Sequence, residues 1–515
     1  MTLDFLSRFG FSGDPFASTN ASDEPLIGHY FVEPPFFSSV VGDPKHPRSN
    51  VIFAPRGGGK TAQKLMIEER SRQSVDFVCI SYDHFFIDNL KSVKDADAGF
   101  HLKNISRALL IFLLCEMERT PEIIENVTTG QRDFLVKLSR ESLGGLTADQ
   151  FRIGLNSIKS WPHKATDIWN QYGGVISSLV NAIIGKFGYG AIDLQSSPSK
   201  IVEDGWKFKF EQLVGICQSV GYSSVYILVD RVDELPSTTQ NADAAFAFVR
   251  SILLDLPLLE TGGVAFKFFL WDQMSESYQE AGGRPDRITE YKLNWSVSQL
   301  ELVLEKRLTT FSSGRVSRFD EILDGTQPYD LHRIIAYFAH GSPRDMIRIC
   351  KRILDEHARS SAPAPKVAYR TAKSALQSFS LDRARELYGS HLSDIRKIGD
   401  LNFTISTLAS DTFRVTTQAA RSKVQKWQAC GAVTKIGEVP NPGNRPHYKY
   451  GIIDPRLALG ALSDASIEEF VDDYFMICPH CGWLRIAVDG EITCPDCQGN
   501  FKAEDAKKLA AVCSK

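Results

Sequence analysis

The stretch Val51-Ile-Phe-Ala54-Pro-Arg-Gly57-Gly58-Gly59-Lys60-Thr61 places a glycine cluster directly after a short apolar run. The apolar residues predict a buried strand, and the residues after the glycines predict a helix. A glycine loop in this position can turn several backbone N–H groups towards one concavity at a helix N-terminus, where they suit phosphate oxygens. The pattern is a Walker A motif with Ala54 in place of the first glycine.

The motif predicts a nucleotide site that binds ATP and Mg²⁺. In such a loop the lysine reaches the β- and γ-phosphates and the hydroxyl residue ligates the metal, so these roles fall to Lys60 and Thr61. A glycine-rich turn that precedes Lys-Thr by chance is the alternative, and a second matching motif argues against it. The residues expected to bind nucleotide are Arg56, Gly57, Gly58, Gly59, Lys60, Thr61 and Ala62.

The second motif is VYILVDRVDE at 225–234, an apolar strand that ends in a carboxylate, as a Walker B strand does. Asp230 would hold Mg²⁺ through water, and a second acid would orient the attacking water. Arg231 stands where AAA+ ATPases usually have the catalytic Glu, so the second role falls to Asp233 or Glu234. Alternatively, these acids only cap the helix that follows.

Three further arginines are candidates for the chemistry. The sequence GSPRD predicts an N-cap Ser and a first-turn Pro ahead of a helix that carries Arg344, as in a sensor-2 segment, although Arg344 could also form a surface salt bridge. Arg284 and Arg287 are candidates for an arginine finger offered to a neighbouring subunit, which would make the protein a homo-oligomer. Asp272 and Gln273, after the apolar run 264–270, are sensor-1 candidates.

The order of Walker A, helical insertion, Walker B and GSPRD lid resembles the bacterial P-loop ATPases of the AAA+/STAND group, over Val51 to Glu356. The leader PFASTNASDEPLIGHYFVEPPFFSSVVGDP before FAPRGGGKT is also similar to that of a bacterial ATPase family with PFASTN…DYFVPPP…GDP. The resemblance implies an ATP-driven switch or assembly in signalling, DNA transactions or antiviral defence. It also implies that Arg344 sits on a helical lid and touches the γ-phosphate.

Towards the C-terminus, residues 416–429 predict a helix with Ala420, Val424 and Trp427 on one face, followed by two strand-like segments at 433–438 and 447–453. A helix followed by a β-hairpin resembles a winged helix. Six Lys/Arg and one acid between 416 and 450 form a local basic patch that could meet double-stranded DNA. A contact with a protein partner is the alternative.

Four cysteines predict a zinc ribbon. They form two Cys-x-x-Cys pairs separated by twelve residues, and this spacing lets four thiolates converge on a tetrahedral Zn²⁺ with no open position. The metal would therefore be structural, and a redox role is the alternative. His480 is expected to fill one knuckle rather than bind metal. The expected zinc ligands are Cys478, Cys481, Cys494 and Cys497.

These patterns predict an α/β chain with a P-loop NTPase core, in which a parallel sheet carries a large helical insertion. The core is followed by a helical lid, a winged-helix-like domain and a small four-cysteine zinc ribbon. The expected boundaries are a leader at 1–49 packing on the core, the core at 50–295 with its insertion at about 88–218, the lid at 296–359, the winged-helix-like domain at 367–460 and the ribbon at 474–503.

Composition sets further limits. A length of 515 residues with 43% hydrophobic and 23% charged residues is typical of a globular protein of several domains, and a net charge of -3 excludes a globally basic nucleic-acid coat. The N-terminus has no signal-peptide pattern, and the apolar run 108–115 is shorter than the roughly 20 residues of a membrane span. We therefore expect a cytoplasmic ATPase without a membrane partner. The alternative is a nucleotide-gated DNA- or protein-binding module with little hydrolysis.

Overall fold

A computed structural model describes residues 2–513 except 75, 88–89, 145, 160–161, 173–174, 192–204, 360–363, 441–445, 463–466, 483, 487–489 and 495–496. The chain divides into two compact units. We name Glu33–Leu293 the core unit, and Met1–Val32 together with Asn294–Lys515 the lid unit. The expected leader, residues 1–49, is thus divided between the two units.

The core unit is built on a five-stranded parallel sheet. Its strands in chain order are β1 Asn50–Ala54, β2 Phe77–Tyr82, β3 Ser224–Val229, β4 Val264–Trp271 and β5 Thr289–Lys292. They lie in the order β2-β3-β4-β1-β5, and every pair is parallel. Strands β1 to β3 are buried along their whole length, which explains their continuous apolar sequence.

The apolar runs 51–54, 77–82, 225–229 and 264–270 predict β1 to β4, whereas β5 was missed. The residues of β5, Thr-Glu-Tyr-Lys, are exposed or half-buried at the sheet edge, beside β1. An edge strand of four polar residues has neither the apolar run of a buried strand nor clean alternation, so the pattern gave no signal.

Helices cover the sheet and form the large insertion between β2 and β3. The helix Ala98–Arg119 is long and apolar, and its residues Leu102, Ile105 and Leu109 are buried, as their helical i, i+3, i+7 spacing predicts. By length and composition this helix could cross a bilayer, but 72% of its most apolar window is buried inside the protein, as in the core helix of a globular domain. The α-helices of the core unit are Phe37–Val41, Lys60–Gln73, Ala98–Arg119, Thr129–Leu143, Ala148–Ser157, Pro162–Tyr172, Ile176–Lys186, Trp206–Ser219, Ala242–Leu253, Leu256–Leu259 and Ser275–Glu280.

The lid unit is mainly helical, with small antiparallel sheets towards the C-terminus. Its helices are Leu3–Ser7, Ile27–Tyr30, Val297–Ser312, Leu331–Ala339, Pro343–Ala358, Tyr369–Arg396, Ile405–Thr407, Thr417–Ala429, Pro455–Ala461, Ile467–Asp473 and Leu509–Cys513. Its strands are Leu323–Asp324, Val367–Ala368, Asn402–Thr404, Thr434–Val439, His447–Gly451, Phe475–Ile477, Leu484–Ile486, Glu491–Thr493, Asn500–Lys502 and Lys507–Lys508. Most of the expected linker, Ser360 to Lys366, lies outside the described residues.

The predicted helix followed by a β-hairpin is present in the lid unit. The helix Thr417–Ala429 buries Ala420, Val424 and Trp427, as predicted. The strands Thr434–Val439 and His447–Gly451 pair as an antiparallel hairpin. A third strand, Asn402–Thr404, pairs with the free edge of His447–Gly451 and was not predicted from the sequence.

The first 32 residues pack on the first lid helix, Val297–Ser312. Arg307 of that helix is buried, donates to the Pro15 carbonyl and forms an ion pair with the buried Glu24. The Ser12 N–H donates to the Phe311 carbonyl at 2.8 Å. Because a buried charge is stable only when it is paired, the Arg307–Glu24 contact fixes this part of the leader in the lid unit.

Candidate nucleotide and metal sites

The loop after β1 has the backbone that a phosphate cradle requires. Gly57 and Gly59 have φ angles of 80° and 95°, a left-handed conformation that favours glycine. A Cβ on Gly58 would lie 2.9 Å from the Pro55 carbonyl oxygen, so only glycine fits there without a shift. Each of the three glycines is therefore required at its own position in the loop.

The helix Lys60–Gln73 begins directly after this loop, with Gly59 as its N-cap. The first backbone N–H groups of a helix have no intrahelical acceptor, and here they belong to Lys60, Thr61 and Ala62. Together with the positive end of the helix dipole, they suit an anion at the loop.

The Walker A loop and the end of the Walker B strand lie next to each other at the carboxyl edge of the sheet. Thr61 Oγ1 donates to Asp230 Oδ2 at 3.1 Å, which joins the Walker A hydroxyl to the Walker B carboxylate. Asp230 is 1% exposed, and Lys60 Nζ donates to the Ala54 carbonyl at 3.0 Å. A hydroxyl and a carboxylate oxygen are ligands that suit Mg²⁺, so these residues fit the expected metal.

A strained turn follows the Walker B strand. Arg231 has a φ of 62°, which is uncommon for a residue with a side chain, and its N–H donates to Asp230 Oδ1 at 2.9 Å. After this turn the two candidate acids diverge. Asp233 is 5% exposed, whereas the Glu234 side chain is 63% exposed and lies 3.7 Å from the Arg231 guanidinium.

Arg56 of the glycine loop contacts the segment that carries Asp233. Its Nε donates to Asp233 Oδ2 at 3.1 Å, and its guanidinium also donates to the carbonyls of Asp233 and Thr239. The same guanidinium stacks on the Trp271 ring, 4.2 Å from its centre. Sequence reasoning placed Arg56 among the nucleotide-binding residues; the structure shows in addition that Arg56 joins the loops after β1 and β3 to the last residue of β4.

Lys60 is buried among three acidic side chains. Burial lowers the pKa of Lys60, and the carboxylates of Asp233, Asp230 and Asp272 oppose that shift. Burial likewise raises the pKa of Asp272, which the charge of Lys60 opposes. Asp272, a sensor-1 candidate from the sequence, therefore lies within electrostatic reach of the Walker A lysine.

Two site residues were missed from the sequence, Lys64 and Asp83. Lys64 is 2% exposed in the second turn of the Walker A helix, and its ammonium forms an ion pair with Asp83, directly after β2. Burial alone would lower the pKa of Lys64, but the charges of Asp230, Asp83 and Glu68 outweigh it and raise the pKa. Asp83 follows a predicted parallel strand as Asp230 does, and that position was the signal available in the sequence.

Arg344 lies in the first turn of the helix Pro343–Ala358, with Ser342 as the N-cap, as GSPRD predicted. Its side chain is exposed, and its contact with a γ-phosphate stays a prediction.

The neighbour of Arg344, Asp345, is fully buried and accepts from Arg383 and Arg456. Arg456 in turn makes a two-point ion pair with Asp454, at 2.8 Å and 2.7 Å. This buried network ties the helix carrying Arg344 to the helices Tyr369–Arg396 and Pro455–Ala461.

The two arginine-finger candidates have partners within the core unit. Arg287 makes a two-point ion pair with Glu260, with N···O distances of 2.9 Å and 2.6 Å. Arg284 pairs with Asp286 in the same manner. Both arginines are exposed, so a role towards a neighbouring subunit would require exchange of these surface ion pairs, and it stays a prediction.

The four predicted zinc ligands converge in the lid unit. Their Sγ atoms all lie within 4.8 Å of one another, with Cys478–Cys497 at 4.0 Å and Cys481–Cys494 at 3.7 Å. Four sulfurs at about 2.3 Å from a tetrahedral Zn²⁺ would be separated by about 3.8 Å, so the cluster fits zinc.

The two cysteine knuckles share one backbone pattern. The Gly482 N–H donates to the Cys478 carbonyl, and the Gln498 N–H donates to the Cys494 carbonyl. His480 Nε2 lies 3.1 Å from the Asn500 carbonyl oxygen, a hydrogen bond that turns this nitrogen away from a metal. A Cβ on Gly499 would come within 2.8 Å of the His480 ring, so the glycine allows the knuckles to approach.

The sheet order and the two motifs define the core as an α/β P-loop NTPase fold in which β4 lies between the Walker A and Walker B strands. No protein-family model matches the chain, and no curated protein matches it.

Two proteins of Aeropyrum pernix are among the solved structures that are similar to it. One is the ORC1 protein of Aeropyrum pernix in complex with DNA, at 12% identity over 88% of this chain and 98% of that one, with a TM-score of 0.37. The other is the ORC2 protein of Aeropyrum pernix in ADPNP-ADP complexes, at 11% identity over 87% and 93% of the two chains, with a TM-score of 0.36. The fold assignment rests on the sheet order and not on these distant likenesses.

Proposed function

We propose that the protein is a Mg²⁺-dependent ATPase that acts as a nucleotide-driven switch. The observation that carries the proposal is the hydrogen bond between Thr61 and the buried Asp230, beside a loop whose three glycines form a phosphate cradle. Lys60 and the first-turn N–H groups would bind the phosphates, and Thr61 and Asp230 would hold Mg²⁺. The bound metal would neutralise charge on the β- and γ-phosphates.

We assign the orientation of the attacking water to Asp233. Its carboxylate is buried, is held by Arg56 and acts electrostatically on Lys60. Glu234 points to solvent beside Arg231, and no such link to Lys60 supports it. A water-orienting acid needs a fixed position near the transferred phosphoryl group, and Asp233 has the more fixed position of the two.

ATP binding tests the assignment of the site. Lys60→Ala should weaken binding of a fluorescent ATP analogue by at least about tenfold, because it removes the charge that meets the phosphates. Lys137→Ala changes an exposed lysine on the helix Thr129–Leu143 and serves as the matched control. Unchanged affinity in Lys60→Ala would contradict the proposed site.

ATP turnover tests the assignment of the acid. Asp233→Asn should lower kcat by roughly 10²-fold or more with little change in nucleotide affinity, since loss of an acid-base group costs about that much. If turnover is lost in Glu234→Gln but kept in Asp233→Asn, the assignment is reversed. If neither variant changes a slow turnover, the protein is a nucleotide-gated binding module with little hydrolysis.

The lid unit would transmit the nucleotide state. Arg344 would touch the γ-phosphate, and the buried network of Asp345, Arg456 and Asp454 would pass a movement of its helix to the segments that flank the winged-helix-like region. A buried network of paired charges is costly to break, so these helices are expected to move together. The resemblance to AAA+ and STAND ATPases supports this use, in DNA transactions or antiviral defence.

Double-stranded DNA is the proposed partner of the winged-helix-like region. The helix Thr417–Ala429 exposes Gln418, Arg421, Gln425 and Lys426 opposite its buried face, so its polar side is available to phosphates. For the double variant Arg421→Ala/Lys426→Ala, the slope of the logarithm of the DNA-binding constant against the logarithm of the salt concentration should be shallower than that of wild type by about 2. An unchanged salt slope, measured by fluorescence anisotropy, would favour a protein partner instead.

The four-cysteine cluster is proposed to bind one structural Zn²⁺. All four positions of a tetrahedral metal would be filled by thiolates, which leaves no site for a substrate. The metal would stabilise the short strands around the knuckles, since segments of two or three residues bury little apolar surface of their own.

A further inference from the structure

Lys64 is a buried lysine whose contacts are unlike those of Lys60, one helical turn before it. Its side chain is 3% exposed, and its ammonium donates to Ser81 Oγ at 3.0 Å and to the Asp83 carboxylate. The same nitrogen lies 3.8 Å from Asp230 Oδ2 and 3.8 Å from Glu68 Oε1. One positive charge is thus surrounded by three carboxyl groups.

Two of these carboxyl groups are neighbours through the sheet. Strands β2 and β3 pair in register with Tyr82 opposite Val229, so Asp83 and Asp230 are the first residues after the paired ends. The side chains of Asp83 and Asp230 are 9% and 2% exposed. Two buried carboxylates side by side repel each other, and a cation between them offsets the repulsion.

Asp230 Oδ2 contacts two residues of one helix. Thr61 Oγ1 donates to it, and the Lys64 ammonium lies beside it. The helix that starts at the phosphate loop therefore holds the Walker B carboxylate at two points, one of which carries a full charge.

We propose that Lys64 is a positioning residue of the nucleotide site, whose ammonium holds Asp83 and Asp230 side by side before Mg²⁺ binds. The inference rests on the proposed function, because Asp230 is taken as the Mg²⁺ ligand. Lys64 acts through these carboxylates and is not expected to touch the nucleotide.

Thermal unfolding with and without Mg²⁺ tests the proposal on the full-length protein. Lys64→Met keeps an unbranched side chain and removes the charge. Metal-free Lys64→Met should melt below wild type, and millimolar MgCl₂ should raise its melting temperature about twice as much as that of wild type, since a cation that binds the folded state stabilises it. NaCl of equal ionic strength controls for screening.

A second substitution separates positioning from packing. Asp83→Asn in the Lys64→Met background removes one of the two repelling carboxylates, so it should restore the metal-free melting temperature and abolish the extra response to Mg²⁺. Lys209→Met is the matched control, because Lys209 is also a buried lysine, paired with Glu141 at 2.6 Å on other helices. It should lower the melting temperature without a larger response to Mg²⁺.

The proposal is overturned if Lys64→Met responds to Mg²⁺ as wild type does, or if Asp83→Asn destabilises it further. These measurements need no ATP, so they remain informative if Lys60→Ala leaves ATP affinity unchanged. In that case the proposed function fails, while a larger Mg²⁺ response would still show that Lys64 acts as the counter-charge of the carboxylate pair.

Discussion

Lys267 should make the stability of the core unit depend on pH in an unusual direction. This lysine lies in the central strand β4, is 0% exposed, and burial lowers the pKa of its ammonium to about 7. Its contacts are a hydrogen bond to the Arg48 carbonyl at 2.7 Å and the Tyr226 ring, 4.9 Å from the nitrogen. Neither partner carries a negative charge, so the folded state disfavours the charged lysine.

The magnitude follows from the two pKa values. An unfolded lysine titrates near 10.4, so the unfolded state binds more protons than the folded state between pH 7 and about 10.4. Stability should therefore rise with pH across that window, by up to about 1.4 kcal/mol per pH unit, and by about 2 kcal/mol from pH 7 to pH 9 because half of the folded molecules are already neutral at pH 7. Well below pH 7 both states are protonated, and the full cost of roughly 5 kcal/mol applies.

Lys267→Met removes this cost and keeps an unbranched side chain. The lysine costs about 4 kcal/mol at pH 7, where it is half protonated in the folded state, and loss of the hydrogen bond to the Arg48 carbonyl costs about 1 kcal/mol, so the variant should be more stable than wild type by about 3 kcal/mol at pH 7. The gain should shrink by about 2 kcal/mol at pH 9, where the wild-type lysine is largely neutral in the folded state.

Pulse proteolysis in urea, with mass-spectrometric detection of peptides from residues 224–271, measures the unfolding of this unit separately from the rest of the chain. Lys137→Met, at an exposed position, should follow the wild-type pH dependence. The reasoning is refuted if wild type and Lys267→Met gain the same stability from pH 7 to pH 9, because Lys267 would then titrate equally in both states.

Three further substitutions have expected outcomes. Gly58→Ala should weaken binding of the fluorescent ATP analogue by at least about tenfold, because the new methyl group would lie 2.9 Å from the Pro55 carbonyl oxygen. Wild-type affinity in this variant would show that the loop shifts without cost. Cys478→Ser should lower the zinc content, measured by elemental mass spectrometry, from one metal per chain towards zero, whereas Cys430→Ser, at an exposed cysteine outside the cluster, should leave it unchanged. Arg456→Met should destabilise the lid unit by about 3–5 kcal/mol in urea unfolding, since it leaves the buried Asp454 without its arginine partner, and a loss below about 1 kcal/mol would contradict a network that fixes the helices.

The site could be predicted from the sequence where its chemistry depends on neighbouring residues in the chain. The glycine loop, Lys60 and Thr61 lie within five positions of one another, and their geometry follows from one strand, one loop and one helix. The cysteine pairs are also local, because each Cys-x-x-Cys turn presents two thiolates by itself. The continuous apolar runs of β1 to β4 reported burial on both faces, so the parallel sheet could be predicted as well.

The sequence could not place residues whose role depends on contacts between distant segments. Lys64 and Asp83 belong to no sequence motif. Their ion pair forms only because β2 pairs with β3 and the helix that carries Lys64 packs beside both strands. The role of Arg56 as a link between two loops and the end of β4 had no signal either, since Asp233 and Trp271 are far from it along the chain. The short polar strand β5 was missed for a related reason: only its pairing with β1 makes it a strand.

The sequence by itself determined a P-loop core, the loop and the strand end that form its candidate nucleotide site, a helix followed by a β-hairpin, and a cluster of four cysteines. These features are set by short-range backbone preferences, by apolar periodicity and by ligand spacing. Tertiary structure alone decided that Asp233 and not Glu234 is buried beside Arg56, that Lys64 stands between two carboxylates, and that Asp345 and Arg456 join helices more than a hundred residues apart. Burial and pairing of charges depend on which segments meet in space, and only the folded chain fixes those meetings.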